Sequence, residues 1–86
     1  MVNVINVFNK GTELGFNVSY KVGVGLTLIK KNKLTTSYIE VKDGKVRFNI
    51  LIRKSVSNQK ELDKIQIDYN NVKRDANILA ELIANK

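Results

Sequence analysis

The strongest concentration of chemistry in this sequence is cationic. Between Lys21 and Lys54 stand nine basic residues, Lys21, Lys30, Lys31, Lys33, Lys42, Lys45, Arg47, Arg53 and Lys54, against two acids, Glu40 and Asp43. That span nets +7, the formal charge of the whole 86-residue chain, because the six basic and six acidic residues outside it cancel. Solubility alone does not require such segregation, whereas a polyanionic partner favours it. Tyr38 sits among these cations, and an exposed ring can stack an unpaired base for about 1–3 kcal/mol. We therefore expect a nucleic-acid-binding set made of Lys21, Lys30, Lys31, Lys33, Tyr38, Lys42, Lys45, Arg47, Arg53 and Lys54, with DNA the favoured ligand. A solvated basic face without a partner is the plainer alternative.

Catalytic readings are few. The chain has no His and no Cys, which removes Ser/His and Cys/His nucleophiles, the usual zinc sets and any disulfide. Glu40-Val41-Lys42 matches the Glu-x-Lys of restriction-type nucleases, but the only acid before it is Glu13 and no Asp precedes it. Asp68 and Asp75 read as solvated or capping residues. Gly23-Val24-Gly25 invites a phosphate-loop reading that fails, since Leu26-Thr27 follows where a Walker loop needs Lys-Ser/Thr, and a dinucleotide fingerprint would need Gly at Leu28. The expectation is a binding protein, with no enzyme activity, cofactor or metal.

Elements must position these cations. Val2 to Phe8 is short, apolar and β-branched, which predicts a strand, with a turn at Asn9-Lys10-Gly11-Thr12. From Phe16 the alternation is strict: Phe16, Val18, Tyr20, Val22, Val24, Leu26 and Leu28 share one face. That predicts one long strand with a bend or bulge at Gly23 and Gly25. Lys30-Lys31-Asn32-Lys33 reads as a polar connection.

Asp43-Gly44 between two alternating runs predicts a type I′ hairpin of Thr35–Lys42 with Lys45–Lys54. Lys42 then opposes Lys45, Val41 opposes Val46, Glu40 opposes Arg47, Ile39 opposes Phe48 and Tyr38 opposes Asn49. Val41, Ile39, Val46, Phe48, Ile50 and Ile52 form its core face. Its outer face is basic with one aromatic ring, and Glu40 with Arg47 is an expected cross-strand ion pair.

After Lys54 the period changes. Leu62, Ile65, Tyr69, Val72, Ala76, Leu79 and Ile83 are spaced alternately three and four apart. Asn58 and Glu61 stand before them as a capping box. One helix from Gln59 to Ala84 is expected; a strand at Lys64–Asp68 followed by a helix from Asn70 is the competing reading. Ile67, Ile78 and Leu82 widen the apolar sector, so Tyr69, Val72, Ala76, Leu79 and Ile83 are candidates for a homodimer seam.

The expected fold is α+β: one domain, with an antiparallel meander of about four strands over 1–54 and one long amphipathic helix over 58–86 packed on one face. In layout this is similar to the transcriptional-cofactor type of single-strand DNA-binding domain, a likeness of architecture that assigns no residues. No apolar run approaches the ~20 residues of a membrane span, and no leader pattern opens the chain, so a cytoplasmic location is expected. Asn, Lys and Ile number eleven, twelve and nine, residues with AT-rich codons, which suggests a phage or mobile-element origin and a host-cell cytoplasm. The alternative function is a small phage or mobile-element protein that binds and inhibits a host protein through the same basic face.

Overall fold

The computed structural model describes residues 4–84. In chain order the elements are α1 (Val4–Glu13), β1 (Asn17–Lys21), β2 (Gly25–Lys31), β3 (Thr35–Lys42), β4 (Lys45–Ile52) and α2 (Gln59–Ala84). The four strands form one antiparallel sheet in the order β1-β2-β3-β4. Both helices pack on the same face. Val7 of α1 and Val72, Ala76 and Leu79 of α2 share a buried cluster with Phe16, Leu26, Leu28, Ile39 and Val41. Burying each of the larger aliphatic chains stabilises the fold by about 1.5–3 kcal/mol. The α+β meander with its long C-terminal helix is the architecture expected from the sequence, although two of the expected strands are not as predicted.

The first expected strand is a helix. Val2 and Asn3 lie outside the described residues, and from Val4 onward the segment is α1. Val4, Val7, Gly11 and Leu14 are spaced three, four and three, which sets one helical face towards the sheet. The expected turn at Asn9–Thr12 is helical too, because the bare Gly11 lets α1 sit directly on Leu28 and Val18. The helix closes when Gly15 N–H donates to the Thr12 carbonyl (3.0 Å) and Phe16 N–H donates to the Gly11 carbonyl (3.0 Å).

The expected long strand is a hairpin. Lys21 pairs with Gly25, Tyr20 with Leu26 and Val18 with Leu28, and the three residues between them form the turn. Val24 N–H donates to the Lys21 carbonyl at 3.0 Å, with Gly23 at φ +83° and Gly25 at φ +101°. The glycines mark the right place, but the chain reverses there instead of bending.

The β3–β4 hairpin has the expected register, from Lys42 opposite Lys45 through Tyr38 opposite Asn49 to Thr35 opposite Ile52. Asp43 and Gly44 both take positive φ, 52° and 75°, as a type I′ turn requires. Its core face is graded: Ile39 and Val41 are buried, Val46, Phe48 and Ile50 half-buried, and Ile52 exposed. The connection before it is shorter than expected, because Lys30 and Lys31 continue β2.

α2 is one piece, which overturns the competing strand at Lys64–Asp68. Asn58 Oδ1 accepts from Glu61 N–H at 2.9 Å, and Glu61 Oε1 accepts from the Asn58 amide at 3.2 Å. This cap starts the helix, and the small propensity penalty of Ile65 and Ile67 is outweighed by packing. At ~1.5 Å per residue its 26 residues span ~39 Å, most of the molecule's 45 Å long axis.

Candidate nucleic-acid interface

With both helices on one face, no helix among the described residues covers the opposite face of the sheet. Strand register assembles it in four rows. The first row joins Lys21 to its partner Gly25, against the Lys42 backbone, and Lys42 to Lys45. The second is Ser19, Thr27, Glu40 and Arg47; the third is Asn17, Ile29, Tyr38 and Asn49; the fourth is Lys31, Thr36 and Leu51. Rows lie ~6.7 Å apart along the strands, and neighbours within a row ~4.8 Å apart.

Five expected site residues therefore meet as cations on one surface: Lys21, Lys31, Lys42, Lys45 and Arg47, all exposed. None has an ion-pair or hydrogen-bond partner among the described residues; the cations that do pair with acids are Lys10, Lys30 and Arg74. The expected Glu40–Arg47 ion pair does not form, although the two residues are directly opposed. Lys42 also faces Lys45 without an intervening carboxylate, a like-charge pair that costs stability in the absence of an anion.

Tyr38 is half-buried at the centre of this face, between Ile29 and Asn49. Two depressions adjoin there. One, of about 280 Å³, is lined by Glu40, Lys42, Asp43, Lys45 and Arg47. The other, of about 440 Å³, is lined by Tyr38, Glu40, Arg47, Phe48, Asn49 and Leu51. Arg47 and Glu40 border both. Glu40 and Lys42 of the nuclease-like motif point to the same side, yet no group of three or more His, Cys, Asp or Glu that could hold a metal ion exists among the described residues.

The remaining expected residues separate. Lys30 turns to the helix side, where its Nζ lies 3.7 Å from Asp75 Oδ2 and 4.4 Å from the Phe16 ring centroid; it belongs to the core margin, not the outer face. Lys33 is exposed in the β2–β3 connection and Lys54 just beyond β4. Arg53 donates from Nη1 to the Asn32 carbonyl at 2.7 Å, bracing that connection.

The expected dimer seam is used within the chain. Val72, Ala76 and Leu79 are buried in the core, Ile83 packs against it, and the Tyr69 ring meets Phe48 with centroids 5.7 Å apart. A heptad stripe serves a sheet as readily as a second helix, and here β3 and β4 occupy it.

Sequence reasoning missed a polar cluster beneath the helix. The Asn32 amide donates to Thr35 Oγ1 (3.0 Å) and Ser37 Oγ (2.9 Å), and Thr35 Oγ1 donates to Asp68 Oδ2 (2.9 Å). Asp68 and Asp75 are buried instead of solvated. The signal was present: Asp68, Val72, Asp75 and Leu79 are spaced four, three and four, which puts both acids on the sheet-facing side. No protein-family model, curated protein or solved structure matches the chain.

Proposed function

We propose that the chain is a small nucleic-acid-binding protein, with DNA the favoured ligand, which holds backbone phosphates on the uncovered face of its sheet. The role is binding and not catalysis. One observation carries the reading: Lys21, Lys31, Lys42, Lys45 and Arg47 converge on a single helix-free face whose strands carry one acid, Glu40, and none of the five forms an ion pair among the described residues. A folded chain gains nothing by clustering unpaired like charges, whereas phosphates would neutralise them and release counterions. No helix among the described residues is long and apolar enough to cross a membrane, so nothing in those helices assigns this face to a bilayer-spanning protein.

Charge reversal at Lys45 and Arg47 should weaken oligonucleotide binding at least tenfold and flatten its dependence on salt, measured by fluorescence anisotropy between 50 and 200 mM salt. Unchanged affinity would sink the reading. An acidic protein surface is the competing occupant of the same face; a partner captured from nuclease-treated lysate, together with no oligonucleotide binding, would assign the face to it. A homodimer is also proposed, joined at the β4 edge and not along the heptad stripe.

A further inference from the structure

Resting on that reading, we infer that the ligand is single-stranded and that one of its bases stacks on Tyr38 while the adjoining phosphate sits at the β3–β4 hairpin end. The register supplies the geometry. Arg47 lies one row from Tyr38 and Asn49, ~6.7 Å along the strand, a spacing that suits a phosphate and the base of the same nucleotide. The two adjoining depressions divide in character along the same line. The smaller is lined by three cations, Lys42, Lys45 and Arg47, and two carboxylates, Glu40 and Asp43, a net positive charge. The larger shares Glu40 and Arg47 with it and adds the uncharged Tyr38, Phe48, Asn49 and Leu51. Tyr38 makes no hydrogen bond or ring contact with another described residue, and its row neighbours Asn17, Ile29 and Asn49 are uncharged. This uncharged row thus lies between Lys31 on one side and, on the other, a row in which Arg47 opposes Glu40, followed by Lys42 and Lys45.

Topology argues against entry into the major groove of a duplex. A two-stranded ribbon enters a major groove about 12 Å wide only if both of its edges are free. Here β3 is flanked by β2 from Thr36 to Val41, so the ribbon is the margin of a four-stranded sheet whose strand axes alone span ~14 Å. A sheet of that width does not enter a major groove as a free two-stranded ribbon does. An unpaired strand can lay a base flat on a ring, because its π-face is not occupied by a neighbouring pair.

The test uses the full chain and three labelled probes of equal length: oligo-dT, a hairpin duplex and an abasic oligonucleotide. Oligo-dT should bind at least tenfold tighter than the other two. Tyr38→Ala should weaken oligo-dT binding by about 5- to 150-fold, the range given by stacking of one base, and leave the salt slope unchanged. Tyr38→Phe should retain affinity, and Tyr38→Leu, which keeps volume over Ile29, should behave as Tyr38→Ala; melting curves of all three variants establish that they fold. If oligo-dT and duplex bind equally, or Tyr38→Leu binds as the parent does, the inference falls while the phosphate reading stands. If no probe binds, both fall.

Discussion

At the scale of single residues, strand parity decides where a lysine goes and a buried carboxylate receives it. Lys30 and Lys31 are adjacent and chemically identical, yet β-strand alternation sends them to opposite faces. Lys31 joins the open surface, while Lys30 reaches Asp75, whose residue is 2% exposed and whose Oδ1 has no hydrogen-bond partner. Arg74 Nε adds a second cation at 3.5 Å. Removing one partner from a buried pair leaves an uncompensated charge, whereas removing both is far less costly. Lys30→Met keeps the stem over Phe16 and should cost about 1–3 kcal/mol in urea denaturation. The double variant with Asp75→Leu should cost less than the sum of the two single changes, with a coupling of about 0.5–3 kcal/mol; additive losses would show that the pair contributes nothing.

At the scale of elements, the two hairpins differ in how readable they are, and loop length is the reason. A two-residue loop pairs Lys42 with Lys45, an even with an odd position, so the apolar parity flips and the turn at Asp43-Gly44 is visible. A three-residue loop pairs Lys21 with Gly25, odd with odd, so apolar alternation runs through the reversal and imitates one strand. Val22 and Val24, exposed at 89% and 44%, continue the pattern without entering the core. Gly25 also needs its bareness for space: a Cβ there would meet the Val41 carbonyl oxygen and lie 3.3 Å from Lys42 Cα, whereas nothing lies within 4 Å of one at Gly23. Both glycines have positive φ, so Gly23→Ala should cost about 1 kcal/mol, and Gly25→Ala about 2–4 kcal/mol, by denaturant titration. Equal losses would mean that the strand contact adds nothing to the backbone term. The N-terminal helix was misread because a few apolar residues in a short run satisfy either period. The hairpin at 43–44 and the capped α2 were legible because their signals are local.

At the scale of the whole molecule, the sheet has one long unpaired edge. In a two-residue hairpin the residues flanking the loop exchange both hydrogen bonds, so Val46, Phe48, Ile50 and Ile52 direct their backbone groups away from β3. Ile50 N–H is taken by its own neighbour's Asn49 Oδ1 at 2.9 Å. On the helix side this edge is lined by Ile52 and Leu62, exposed at 56% and 50%. A second copy pairing antiparallel about Phe48 would set Val46 opposite Ile50 and Arg47 opposite Asn49, with no like charges opposed. It would also extend the cationic face across both copies. Sedimentation velocity should then find a dimer that strengthens with salt, because each copy carries +7. Ile52→Asp with Leu62→Lys should yield a monomer of unchanged fold; a monomer in the parent chain at every concentration would refute the edge pairing.

The sequence by itself determined the segregated charge, the α+β class, the β3–β4 register and the long capped helix. These depend on composition, on one turn dipeptide and on periods read within a few residues. Only the tertiary structure decided what would pack on the apolar face that alternation marks, α2 along its heptad stripe with α1 beside it. That packing set Lys30 against Asp75, consumed the heptad stripe in the core, buried Asp68 and Asp75, and left Tyr38 among unpaired cations. Periodicity states which residues share a face and which face is apolar, but which segment covers it depends on contacts between segments distant in the chain, and no local pattern encodes those.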